Sequence, residues 1–440
     1  METTANYSKN RGIILLISLA GVSIYLLPYF KGYYYDAYLA YFGINDMQMA
    51  TFGSAFGAFT LIGYCFGGWV ADNLPLKIVI PGSMIVTGAA GLILLLKPPY
   101  PVHVAIYALW GVSTVLTFWN PMMKALRALS KPEEQARSYG LFDIGRGALN
   151  LIIGVGVVGL FTKLCTIIGD EKGMSALIVF YCAEVIIVGV IISIVLGRKL
   201  PDLRNQKTKD SEMKDKNVNF VKEILKVLKM PISWCLIVII GTTYGIQVSY
   251  SYIVPYCTAA FGMSAALASI MGYAGMAFRM AGCFVGGHLA DKIGLSKMML
   301  IDMFVMIGGI IGILLTPQSM KFIFMLIISV AIMAMAMYSA YALHYAMFEE
   351  GNYPVESMGA AMFIITPIAF SSEVFMPLFD GWCLSNYEGV EGYRVMFIGF
   401  IVVLVLGIIA CLGFRALSKE HRKELDLKRK VEMNNTKEAA

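Results

Sequence analysis

Hydrophobic positions in this chain fall in long unbroken runs, without the polar face that a water-exposed helix or strand keeps. A bilayer core takes about 20 apolar residues per helix. Runs of that kind lie at roughly 12–37, 48–71, 78–97, 101–127, 138–164, 174–197, 231–258, 264–290, 296–316, 321–348, 357–379 and 393–414. They predict an all-α membrane protein of twelve transmembrane helices, numbered 1–12 in that order. Polar positions interrupt the runs only briefly, except between 198 and 230. There Arg198, Lys199, Arg204, Lys207, Lys209, Lys214, Lys216, Lys222, Lys226 and Lys229 form a basic linker. It separates a six-helix bundle over 1–197 from a second over 231–414, and a charged tail occupies 415–440. Within the linker, Phe220–Leu228 is amphipathic and suited to a membrane surface.

The halves repeat one another. Gly67-Gly68-Trp69-Val70-Ala71-Asp72-Asn73-Leu74-Pro75-Leu76-Lys77 returns 219 positions later as Gly286-Gly287-His288-Leu289-Ala290-Asp291-Lys292-Ile293-Gly294-Leu295-Ser296-Lys297. At that offset, residues 42–72 and 261–291 match at eleven of thirty-one positions. A half-length repeat means a duplicated six-helix unit in two pseudo-symmetric bundles. The phrase itself has a physical reading. Glycines such as Gly68 and Gly287 let helices approach closely. An aspartate such as Asp72 or Asp291 can bond N–H groups at a neighbouring helix N-terminus, and a cation such as Lys292 completes the contact. Such a contact serves either as a gate latch or as a static loop clamp.

Composition narrows the class further. The chain is 58% hydrophobic and 15% charged, with mean hydropathy +0.70, too few charges to cover a soluble surface. Counting from a cytoplasmic N-terminus, 27 of the Lys and Arg residues fall on the inside, six outside and two within spans. The positive-inside rule therefore places both termini in the cytoplasm. The +6 net charge follows those connecting segments, so no nucleic-acid partner is implied. Lys9 and Arg11 precede an apolar run with no cleavage site, which reads as a retained first helix. The eight cysteines are scattered without metal-ligand spacing, so neither disulfides, metal nor cofactor is expected. HExxH and GxSxG are absent, which favours a carrier over an enzyme.

Twelve spans, a 6+6 repeat, a basic central linker and a G-x-x-x-D phrase after helices 2 and 8 resemble the major facilitator superfamily. The resemblance covers almost the whole chain. Its loop signature, roughly G-x-x-x-D-(R/K)-x-G-x-(R/K)-(R/K), is followed through Gly287, Asp291, Lys292, Gly294 and Lys297. The first copy keeps Gly68, Asp72 and Lys77 but has Asn73 and Pro75 where a basic residue and glycine are usual. Tyr29-Phe30-Lys31-Gly32-Tyr33-Tyr34-Tyr35, Ala71–Gly82 and Phe118-Trp119-Asn120-Pro121 are similar to the organophosphate and organic-anion (anion:cation symporter) branch. That branch binds anionic groups with basic residues inside the helices. Phe348–Pro354 resembles a poorly characterised bacterial subgroup. Gly154–Gly159 lacks the proline of proton-driven drug exporters.

Ionisable groups at bilayer depth are costly and mark candidate sites. Arg146 lies about 12 Å into helix 5, on one stripe with Asp143 and Asn150, and reads as a substrate contact or as the partner of Asp143. Arg279 in helix 8 stands where the repeat has Thr60, a charge in one copy only. Lys31 either snorkels to the outer interface or faces the cavity. By the resemblance, helices 1 and 7 line that cavity. This makes Tyr25 and its repeat equivalent Tyr244 candidate ligand contacts, with Gln247 and Ser251 on the same face. Trp119 and Asn120 match Tyr338 and Ser339 by the same offset, and serve as stacking surfaces or as packing. For proton coupling the candidates are Glu373, His344 and Asp36, with Glu373 foremost. Glu184 and Asp302, in peripheral helices, read as structural.

The expected function is a secondary transporter, a monomer in a bacterial inner membrane, moving a small organic anion such as a sugar acid, sugar phosphate or sulfonate. Symport with a proton, or exchange for a counter-anion, would drive it. The alternatives are a proton-coupled carrier of neutral solutes such as sugars or nucleosides, and a non-transporting membrane sensor on the same fold.

Overall fold

The computed structural model describes residues 7–131, 134–199, 220–425 and 427. Among these, twelve helices are long and apolar enough to cross a membrane. They are helix 1 (Tyr7–Tyr33), helix 2 (Asp46–Asn73), helix 3 (Leu76–Leu96), helix 4 (Tyr100–Ala128), helix 5 (Arg137–Ile168) and helix 6 (Asp170–Arg198). Beyond the linker come helix 7 (Pro231–Phe261), helix 8 (Ala265–Ile293), helix 9 (Leu295–Leu315), helix 10 (Met320–Leu343), helix 11 (Glu356–Asn386) and helix 12 (Val390–Leu417). With an even number of crossings, the two ends of the described chain share one face. The amphipathic stretch is a helix, Phe220–Lys229, held to helix 7 by a bond from Trp234 Nε1 to the Leu228 carbonyl (2.9 Å) and to helix 11 by Ser357 donating to Glu223. Residues 200–219 of the linker and those past 427 in the tail lie outside the described residues.

Several boundaries differ from the hydropathy pattern; helix 10 ends at Leu343, before a turn over 344–346, and not at 348. Helix 1 stops at Tyr33, and Tyr35–Phe42 forms a separate short helix closed by Gly43 in the left-handed region, φ 64°. Glycine reaches that conformation without strain, so it ends the turn. Helix 11 runs past its apolar limit at 379 to Asn386. One face of its outer half packs on helix 2, so that face need not be apolar, while Phe375 and Trp382 stay exposed on the other.

That seam is built from small residues. A Cβ at Gly57 would lie 2.6 Å from the Glu373 carbonyl oxygen, and one at Gly53 would lie 3.3 Å from Pro377 Cβ. Gly381 of helix 11 faces Ala50 of helix 2 in the same way. Without side chains between them, the backbones approach closely, as membrane helices do when dispersion replaces the hydrophobic effect. Helices 5 and 8 form the second seam, where Gly154 lies under the ring of Tyr273. Tyr273 stacks on Tyr33 at 3.9 Å and 10° and meets Tyr181 hydroxyl to hydroxyl at 3.2 Å. Further out, Ser269 donates to the Tyr33 carbonyl (2.5 Å) and Thr258 to Asp36 (2.7 Å). All these contacts join the halves at midplane or towards the face opposite the termini.

Within each half the repeat is visible as packing. Gly67 of helix 2 accepts the Asn120 side chain of helix 4, and its counterpart Gly286 accepts Ser339 of helix 10. Ser339 then donates to Asp302 of helix 9 (2.7 Å), where the first half has Ser83 bonded to Thr117 (2.8 Å). Helix 4 carries a π-helical segment, Val112–Trp119, immediately before Asn120-Pro121. A proline donates no N–H and crowds the preceding turn, so the ladder loosens there and re-aims the residues beside it.

Candidate functional site

The wide turn in helix 4 brings Trp119 under Arg146 of helix 5. The guanidinium carbon stands 4.9 Å from the Trp119 ring and 5.4 Å from Phe142, a cation–π geometry. Arg146 Nη1 is 3.8 Å from Asp143 Oδ1, a long contact, and its Nε is buried with no hydrogen-bond partner. Across the halves, Arg279 of helix 8 lies over Tyr338 (5.7 Å) and Tyr341 (5.3 Å) of helix 10. Among the described residues Arg279 forms neither an ion pair nor a hydrogen bond. Each guanidinium thus rests on ring faces, and Trp119 and Tyr338 are repeat equivalents. Gly147, beside Arg146, and Met280, beside Arg279, meet in the seam of helices 5 and 8, where a Cβ at Gly147 would lie 3.3 Å from Met280 Sδ. Asp143 is 66% exposed, and the contacts between the halves described above lie at midplane or towards the opposite face, so the space between the bundles opens towards the termini.

A second cluster lies at midplane around Glu373, 4% exposed, just after the break in helix 11 at Ser371. Three hydroxyls approach its carboxyl: Tyr29 of helix 1 (3.0 Å), Thr60 of helix 2 (3.1 Å) and Tyr244 of helix 7 (3.3 Å). Tyr244 also stacks on Phe370 at 4.2 Å, and Phe370 meets Tyr64 of the other half at 5.3 Å. Tyr25 links the clusters: its hydroxyl donates to the Thr114 carbonyl (3.2 Å) and its ring lies 6.0 Å from Trp119 and 6.3 Å from Tyr29. Gln247, half-buried on helix 7, keeps its Oε1 unpartnered.

The remaining expected residues are placed as follows. Lys31 has its ammonium 5.9 Å from the centre of the Tyr107 ring and beside Gly53 of helix 2, apart from the two arginines. Asn120 donates to the carbonyls of Gly63 (3.4 Å) and Val115 (3.3 Å), in the joint between helices 2 and 4. His344, 2% exposed, bonds Thr243 through Nε2 (2.8 Å) and leaves Nδ1 without a partner. Asp36, outside the spans, accepts from Thr258; burial raises its carboxyl above the usual range against that hydrogen bond. Glu184 accepts from Ser23 of helix 1.

On the face carrying the termini the two loop phrases behave differently. Asp72 pairs with Lys124 of its own half (2.9 Å). Asp291 and Lys292 are exposed, and among the described residues neither has a partner. The close approaches belong to Gly67 and Gly286, while Gly68 and Gly287 have nothing within 4 Å of a Cβ position. The helix 9 N-terminus is met by Glu350, which accepts from the N–H groups of Leu295 (2.8 Å) and Ser296 (3.3 Å). Glu350 borders a cavity of about 220 Å³ shared with Lys297, Arg415 and Arg422, in which Arg415 donates to Ser296 (2.9 Å).

Sequence reasoning missed Asp380, fully buried in helix 11, because the apolar run ends one residue before it. It also missed Tyr29, Thr60 and Tyr341. The repeat offset did single out Thr60 against Arg279 but gave no sign of its partner.

A sequence model of the Major Facilitator Superfamily matches residues 12–372. Two Escherichia coli (strain K12) proteins align along nearly the whole chain. Inner membrane protein YihN is 25% identical over 92% of this chain and 93% of its own, and inner membrane protein YqcE 25% identical over 94% and 96%. Among solved structures, a point mutant of the nucleoside transporter NupG superposes with TM-score 0.71 at 11% identity, covering 92% of this chain and 99% of that one. A bacterial homologue of the human lysosomal transporter Spinster, inward-facing, gives 0.70 at 16% identity over 92% and 97%.

Proposed function

The chain belongs to the Major Facilitator Superfamily, and on that premise we propose that it transports a small organic anion by alternating access, coupled to a proton or a counter-anion. The observation that carries this reading is the pair Arg146 and Arg279. Two guanidiniums from opposite halves flank the seam of helices 5 and 8, and among the described residues only Arg146 has a carboxylate within 4 Å, Asp143 at 3.8 Å. A charge at that depth is kept when something neutralises it, and a substrate carboxylate, phosphate or sulfonate would do so bidentately. Both arginines stand over aromatic rings, a contact that does not consume their N–H donors. The surrounding Trp119, Tyr25, Tyr338 and Tyr341 offer aromatic faces and hydroxyls to the rest of a sugar-like molecule.

In this reading Glu373 carries the coupling proton. It contacts hydroxyls of both halves, so its ionisation state bears on how the halves fit together. The basic bias of the loops supports cytoplasmic termini. On that orientation the space between the bundles opens to the cytoplasm, in a bacterial inner membrane.

The second reading, a proton-coupled carrier of neutral solutes, is favoured by one observation: Glu373 has hydroxyl partners and no basic partner among the described residues. The structural neighbour NupG is a nucleoside transporter. Uptake into proteoliposomes from a panel of sugar acids, sugar phosphates, sulfonates, free sugars and nucleosides, with and without a pH gradient, separates the two. Transport confined to uncharged solutes would sink the anion assignment.

A further inference from the structure

We propose that Lys31 and Asp380 form a charge lock that holds the two halves together on the face opposite the termini. They come from opposite halves, helix 1 and helix 11, and both lie at the seam of helices 2 and 11, farther apart than the 4 Å of an ion pair. Gly53 marks the place. A Cβ there would lie 3.5 Å from Lys31 Nζ and 3.3 Å from Pro377 Cβ, and Pro377 is one helical turn before Asp380. The ammonium therefore reaches the seam only because position 53 has no side chain.

Both groups have an unfilled valence there. Asp380 is 0% exposed; one carboxylate oxygen accepts from Ser249 of helix 7 (2.5 Å) and Oδ1 has no partner. Among the described residues the Lys31 ammonium makes no hydrogen bond and no ion pair, only the contact with the Tyr107 ring. A buried charge without a counter-charge is costly, and here the counter-charge is supplied by the other bundle.

The consequence is a contact that exists in one conformation. With the halves closed on this face, the two charges neutralise each other in a dry seam. With the halves parted, water from that face hydrates each charge separately and the attraction is lost. A differential contact of this kind biases a two-state equilibrium towards the closed form. Neither residue belongs to the arginine pair or to the hydroxyl cluster around Glu373, so the lock stands whatever the substrate is.

The test uses the full chain, otherwise cysteine-free, with spin labels at Lys172→Cys and Glu388→Cys, exposed positions of opposite halves on this face. Pulsed dipolar spectroscopy in nanodiscs reads the distance distribution. Lys31→Met and Asp380→Asn should each raise the long-distance population at least about tenfold, the scale expected on breaking a buried pair. The reversed pair Lys31→Asp with Asp380→Lys should recover the short distance at least in part. Should a single variant fail to fold, the reversed pair carries the test, because it keeps one charge of each sign in the seam. Single variants that fold and keep the parent distribution overturn the lock, as does a reversed pair no better than its component changes.

Discussion

Thr60 Oγ1 stands 3.1 Å from Glu373 Oε2 and 2.8 Å from the Gly57 carbonyl oxygen, and it has one proton to give. When Glu373 is ionised, that proton belongs to the carboxylate. When Glu373 is protonated, the carboxyl can donate to Thr60, and Thr60 can hold Gly57. Protonation thus changes a contact between helix 2 of one half and helix 11 of the other.

Glu373→Gln should therefore abolish accumulation driven by a pH gradient while leaving downhill exchange of the same solute. The glutamine keeps the volume and an acceptor but cannot cycle a proton. Proteoliposome uptake with and without the gradient is the measurement. A variant that still accumulates solute with the parent's pH dependence would remove Glu373 from the coupling step.

Arg279→Ala should weaken binding of an anionic substrate by about tenfold or more, since a hydrogen bond to a charged group contributes about 1.5–3 kcal/mol. Arg279→Lys should recover part of this, because lysine restores charge but not the planar fork. Arg146→Lys should behave similarly. Isothermal titration with the transported solute checks both, and an unchanged affinity in Arg279→Ala refutes its assigned role.

Much of the fold was legible in the chain because bilayer depth imposes a run length and duplication imposes an offset. The same physics hid the rest. Asp380 lies where a helix packs on another helix, and hydropathy has no means to tell such a face from a loop end; for the same reason Lys31 is legible as a candidate while its placement stays open. The arginines stood out because they interrupt apolar runs. The hydroxyls around Glu373 did not, since Tyr29, Thr60 and Tyr244 are ordinary residues of a membrane helix until their partner is known. Glu350 was visible as part of Phe348–Pro354, but its bond to the helix 9 N-terminus depends on how that loop folds back.

The glycines of the repeat phrase should divide sharply on substitution. A Cβ at Gly282 would meet the backbone of Met335 in the same half, and Gly286→Ala would strike Ser339. Overpacking of that kind costs roughly 1–3 kcal/mol, so both variants should unfold at lower temperature. Gly287→Ala and Gly68→Ala, with nothing within 4 Å, should keep the parent's thermal stability in detergent. A marked loss of stability in Gly287→Ala would contradict this packing.

Glu350→Ala should destabilise the second half by roughly 1–2 kcal/mol, because its carboxylate satisfies two N–H groups at the start of helix 9 where the helix dipole favours an anion. Glu350→Gln retains an acceptor but loses the charge, so its effect should be smaller. Asp291→Asn, whose side chain is exposed and unpartnered among the described residues, should leave stability in this conformation unchanged. Thermal unfolding of the three variants in one detergent ranks them. Asp291→Asn falling below Glu350→Ala would mean that Asp291, and not Glu350, secures the helix 9 N-terminus.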